Sequence, residues 1–132
     1  MRAAWRTAWQ RHLQRLPLEP LQAQMVDLIT LHPEYHAQLS TANSAVGGAA
    51  DGSDEDANSF LHLALHMALR EQLATNRPRG IAQIHQQLCA TAGNGHAAEH
   101  RMIEVLGRTL WDAQQAGRMP DEQQYLAALQ KL

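Results

Sequence analysis

Apolar residues recur at helical spacing along most of the chain. Trp5, Trp9, Leu13 and Leu16 form a first stripe and predict a helix over 2–16. Leu16-Pro17-Leu18-Glu19-Pro20 breaks it, and Pro20 suits the first turn of the next helix. The second stripe, Leu18, Leu21, Met25, Leu28, Ile29, His32, His36 and Leu39, predicts a helix to about Leu39, kinked or restarted at Pro33. From Phe60 to Gln72 the chain has neither Gly nor Pro and is apolar almost all round. That pattern predicts a central buried helix, capped by Asn58 and ending near Asn76. Arg77-Pro78-Arg79-Gly80 reads as a connector. Ile81, Ile84, His85, Leu88 and Cys89 predict a fourth helix to about Ala92. Met102, Ile103, Leu106, Leu110 and Ala113 predict a fifth over His96–Ala116, with Asn94 as its cap and Gly117 as its stop. Asp121 and Gln124 have the spacing of a capping box and open a short last helix, docked by Tyr125, Leu126 and Leu129.

No stretch alternates as a strand should. The expected architecture is all-α, a single antiparallel bundle of five to six helices, with residues 1–132 as one domain. Thr41–Ala57 interrupts the pattern. It is small, polar and acidic, and predicts a long flexible loop. Asp51, Asp54, Glu55 and Asp56 lack the EF-hand spacing and its closing Glu, so calcium is rejected.

Charge and cysteine content narrow the function classes. The net charge of −2 gives no specific nucleic-acid signal. No apolar run reaches membrane-spanning length, and the N-terminus has no apolar core of a signal peptide. The single cysteine, Cys89, excludes an intramolecular disulfide and fits a reducing, cytoplasmic setting. Arg2, Arg6, Arg11 and Arg15 line the first helix without an acid among them. Such a helix either touches anionic lipid or an acidic partner, or packs its Trp stripe inward and leaves its Arg side to solvent. The second reading is preferred, because paired Trp side chains are ordinary core anchors.

The histidines change the picture most. His32 and His36, His62 and His66, and His96 and His100 are each four residues apart. Eight His scattered at random over this length would give about half of one such pair, so three pairs are a signal. Residues at that spacing share one helical face. Glu99 projects to the middle of the fifth helix's apolar face, where a carboxylate is costly unless paired, protonated or metal-bound. The candidate metal ligands are therefore His32, His36, His62, His66, His96, Glu99 and His100, with His85 and Glu104 next. A His-dominated set with one carboxylate suits a divalent transition metal such as Fe, Zn or Ni. An open coordination position would serve hydrolysis, and iron would serve oxygen or redox chemistry. A small-molecule substrate, a protein partner and a homo-oligomer are all compatible with this reading. The alternative is a non-catalytic interaction module whose histidines are structural or pH-sensing, with an apolar patch around Trp5 and Trp9. Cys89 lies one turn after His85 and reads as a structural thiol.

Several stretches carry a resemblance: His32-Pro33-Glu34-Tyr35-His36, Asn58-Ser59-Phe60-Leu61-His62 through His66 to Glu71-Gln72, Arg77-Pro78-Arg79-Gly80-Ile81, and Glu99-His100. Together they make the chain similar to an uncharacterised bacterial family, the domain of unknown function 1841. Ser59 stands where members of that family usually have Pro. The family implies no assigned activity. More distantly, helices offering inward His and a carboxylate resemble hemerythrin-type and DinB-type metal bundles, an analogy of architecture rather than of ligand order.

Overall fold

The computed structural model describes residues 2–40 and 54–132, and these are helical without strands. The elements are α1 (Arg2–Leu13), α2 (Pro20–Thr30), a 3-10 turn at Pro33–Tyr35, α3 (His36–Ser40), α4 (Asp54–Thr75), α5 (Ile81–Ala92), α6 (Gly95–Ala116) and α7 (Glu122–Gln130). Most of the expected loop, residues 41–53, lies outside the described residues. Helix α4 starts at Asp54, four residues before the expected cap at Asn58. The chain divides into two compact units, Met1–Met67 and Ala68–Leu132, and the division falls inside α4.

In the first unit α1 packs against α2 and α3. Trp5, Ala8, Trp9, Met25, Leu28, Ile29, Leu39, Phe60 and Leu63 are buried in one apolar cluster. Trp5 is fully buried and Trp9 nearly so, which removes the exposed Trp patch expected of an interaction module. The guanidinium groups of Arg2 and Arg6 lie over the Phe60 ring, at 5.4 and 5.2 Å from its centroid. Two of the four arginines thus add cation–π contacts to the core's edge.

Helix α1 ends at Leu13, short of the predicted Leu16. Arg15 takes a left-handed φ of 58°, the Arg15 N–H donates to His12 O, and the Leu16 N–H donates to Arg11 O. This closure caps the last carbonyls. The same closure ends α4 at Asn76, where φ is 51°, and α6 at Gly117, where φ is 67°. Asn and Gly announce it in the sequence, whereas an Arg does not.

The second predicted helix is broken where Pro33 enters. His32 is held out of the helical region, at φ −125° and ψ 70°, as expected of a residue before proline. Pro33 has no N–H for the Ile29 carbonyl four residues back. That carbonyl accepts instead from the His32 N–H at 3.0 Å and from His36 Nε2–H at 2.8 Å.

The buried positions of α4, Ser59, Phe60, Leu63, His66 and Leu69, wind over about half of the helix's circumference. Leu61 falls on the other half and is left 57% exposed despite the apolar surroundings in sequence. In the second unit α6 packs on α5 and α7, burying Leu88, Met102, Ile103, Leu106, Tyr125 and Leu129. Asn94 caps α6 by accepting from the Ala97 N–H at 2.7 Å. Asp121 caps α7 by accepting from Gln123 and Gln124 N–H. The Asn94 cap is as the sequence predicts, and Asp121 makes its own half of the expected capping box. Among the described residues no helix is long and apolar enough to cross a membrane.

Candidate metal centre

The break at Pro33 aims His32. Its side chain is fully buried, and its Nδ1 lies 2.7 Å from the Leu28 carbonyl oxygen. A carbonyl only accepts, so Nδ1 carries the proton and a neutral His32 presents a lone pair at Nε2. That Nε2 lies 3.0 Å from Nε2 of His62 on α4. His66, one turn further along α4, is fully buried. Its ring centroid stands 5.2 Å from that of His32 and 5.8 Å from that of His62, nearly perpendicular to both rings. One ligand nitrogen from each of His32, His62 and His66 all lie within 4.8 Å of one another, close enough that the group could hold a metal ion.

Tyr35 covers this group from the 3-10 turn. Its ring is parallel to His32 within 6°, with centroids 5.3 Å apart, and edge-on to His62 at 6.2 Å. Burial pushes the phenol up from its usual value, the charge of Glu34 adds to this, and the polar Ser59 side chain opposes it.

The other sequence candidates make contacts of their own. His36 shares a sequence pair with His32 but gives its Nε2–H to Ile29 O, and its ring rests on Trp9 at 4.6 Å. It acts as a capping group for α2. In the second unit His96 and His100 lie on one face of α6, with ring centroids 4.1 Å apart and planes tilted by 46°. Glu99 is buried, as its place on the apolar face requires. Its Oε1 accepts from Arg70 Nε at 3.1 Å, and its Oε2 lies 3.8 Å from His85 Nε2. The carboxylate is thus paired rather than bare. Cys89 Sγ lies 3.5 Å from the same His85 nitrogen. Sequence reasoning missed Tyr35, although it stands inside one of the stretches that carry the family resemblance. The signal was the single-turn spacing of His32 to Tyr35.

The profile of the family described as Domain of unknown function (DUF1841) matches residues 1–131. The chain belongs to this family. No curated protein and no solved structure matches the chain. In this DUF1841 chain the histidine cluster draws on two of the stretches that carry the resemblance: His32 from the His-Pro-Glu-Tyr-His stretch, and His62 and His66 from α4.

Proposed function

We propose that this DUF1841 protein binds a divalent transition metal through His32, His62 and His66. The observation that carries the reading is the 3.0 Å separation of two Nε2 atoms, one of which has its partner nitrogen tied to a backbone carbonyl. Two nitrogens each about 2.0–2.1 Å from one ion stand about 2.8–3.4 Å apart for angles between about 90° and 110°. The donor set fits as well as the spacing. Imidazoles ligated to metals commonly give their other N–H to a carbonyl or carboxylate, as His32 does to Leu28. Three neutral imidazoles suit zinc, nickel or iron better than magnesium or calcium. An ion held there would supply Lewis acidity for hydrolysis or, with iron, one-electron chemistry.

The protein's own groups do the rest. The Leu28 carbonyl fixes the His32 tautomer and aims its lone pair. Burial of His32 and His66 excludes water from their sides of the cluster. Without an ion, a proton at His62 Nε2 is shared toward His32 Nε2, and metal binding displaces it. On the paired-spacing argument of the sequence, His100 is proposed as a further ligand, with His96 and Glu99 as weaker candidates. Three protein ligands would leave a position open for chemistry, whereas four would close the site as a structural one.

Elemental analysis of the full chain, purified without a His tag and with His62→Ala/His66→Ala alongside, tests the reading. About one ion per chain is expected in the unaltered protein and none in the double variant. The same N···N distance also favours a second reading, a hydrogen-bonded histidine core without metal. A metal-free wild-type protein that takes up no zinc, nickel or iron on titration would select it.

A further inference from the structure

We propose that the groove between α6 and α7 binds a zwitterion, an α-amino acid with a short aliphatic side chain. The groove lies wholly in the second unit, shares no residue with the metal centre and needs no ion. Val105, Arg108, Asp112 and Ala113 line it from α6, at the three-and-four spacing of a single helical face. Asp121 and Ala128 line it from the α7 side. Arg118 joins the wall where the chain turns between the two helices. Gly117 takes its left-handed φ of 67° there, and the Arg118 N–H donates to Ala113 O at 3.0 Å, so the backbone of Arg118 is pinned beside the groove. The groove holds about 270 Å³. Pockets for drug-sized molecules run from about 300 to 1,000 Å³, so this one suits a single amino acid.

The charges give the ligand its class. Two guanidinium groups and two carboxylates line the groove, so neither a simple anion nor a simple cation matches it. Among the described residues no hydrogen bond or ion pair engages the side chains of Arg108, Asp112 and Arg118. Arg108 and Asp112 stand one turn apart on α6, a spacing at which ion pairs form readily, yet they do not pair. Asp121 commits Oδ1 to the Gln123 and Gln124 N–H groups and keeps Oδ2. In the complex, the ligand's carboxylate accepts from Arg108 and Arg118, and its ammonium donates to Asp112 and Asp121. Val105, Ala113 and Ala128 offer small apolar surface to the ligand's side chain.

The test titrates L-leucine into the full chain and follows the backbone amide signals by two-dimensional NMR. Saturation in the millimolar range is expected, because Arg108, Asp112 and Arg118 are exposed and their ion pairs are screened. The shifts should concentrate in residues 105–128. An amino acid also chelates metal ions, so the titration is repeated with EDTA, and the affinity should not change. Leucinamide, which lacks the carboxylate, and isocaproate, which lacks the ammonium, should each bind about fivefold more weakly than leucine. Arg118→Gln should weaken leucine about fivefold and leave leucinamide unchanged. Asp112→Asn should weaken leucine by a similar factor and leave isocaproate unchanged. Both positions are exposed, so neither change should lower Tm. Absence of saturable shifts with leucine overturns the proposal. So do shifts confined to residues 32–66, loss of binding with EDTA, or isocaproate binding as tightly as leucine, which marks a simple anion site.

Discussion

In Met1–Met67, His32 turns one nitrogen to the Leu28 carbonyl and the other to His62, and among the described residues no carboxylate is grouped with them. In Ala68–Leu132, Glu99 turns one oxygen to Arg70 and the other toward His85. Both units bury polar side chains that ligate metals in other settings, yet they answer the cost of burial differently. The second unit neutralises its carboxylate with a fixed cation, and an incoming ion would have to displace a guanidinium. The first unit gathers imidazole nitrogens around the Nε2 lone pair of His32, where a proton now sits and an ion could sit. Donor type alone therefore does not mark a metal site. What matters is whether a fixed positive charge already holds the donors.

The largest expected effect tests the first unit. Zinc at about a hundred times its dissociation constant should stabilise the fold by about 2.7 kcal/mol, or about 10 °C in Tm. His62→Ala/His66→Ala should abolish that shift, and thermal melts with and without zinc check it. A zinc shift that survives the double variant would place the ion elsewhere and undo the contrast between the units.

Arg70→Met breaks the second unit's answer. The buried Glu99 then loses its guanidinium partner, at a cost of about 1–2 kcal/mol in urea unfolding. The cost is set below that of a fully buried pair because the Arg70 side chain is 39% exposed. Adding Glu99→Gln should recover most of it, and a Glu99→Gln change without effect would mean the carboxylate needs no partner.

His36→Ala sharpens the contrast within one histidine pair. It should cost about 1 kcal/mol, because the Ile29 carbonyl loses a donor that Pro33 cannot replace. Zinc affinity should stay unchanged, and isothermal titration beside denaturant melts separates the two outcomes.

The smallest effect at neutral pH belongs to Tyr125, whose hydroxyl donates to Gln72 Oε1 at 2.8 Å. Burial raises this phenol's pKa in the folded state. The folded protein therefore holds the proton more tightly than the unfolded chain. That contribution is complete below the unfolded value of about 10 and is lost as pH rises above it. Tyr125→Phe should cost about 1 kcal/mol at pH 7 and flatten the fall in stability above pH 10. Equal slopes for the two proteins would contradict this.

The helices of the second unit could be read almost residue by residue. Asn94, Gly117 and Asp121 are local signals, because capping and left-handed closure depend on residues within one turn. The end of α1 was misread for the same reason in reverse. Arg15 adopts the closing conformation without belonging to a residue type that announces it. The loop over 41–57 was expected from composition, and α4 reaches into it as far as Asp54.

The sequence by itself determined that the chain is helical, where Pro33 interrupts it, that Glu99 is buried, and that histidines pair on helical faces. Each follows from periodicity or backbone chemistry within a few residues. Only the tertiary structure decided which histidines meet. Spacing of four treats His32–His36 and His62–His66 alike, but the Ile29 carbonyl, which Pro33 cannot serve, takes the His36 ring N–H beside the His32 backbone N–H. The partner of His32 is instead His62, 30 residues away. The pairing of Glu99 with Arg70 across 29 residues was likewise beyond reach. A helical pattern fixes the direction of a side chain about its own axis. It does not say which helix stands opposite, and there the identity of each donor's partner is decided.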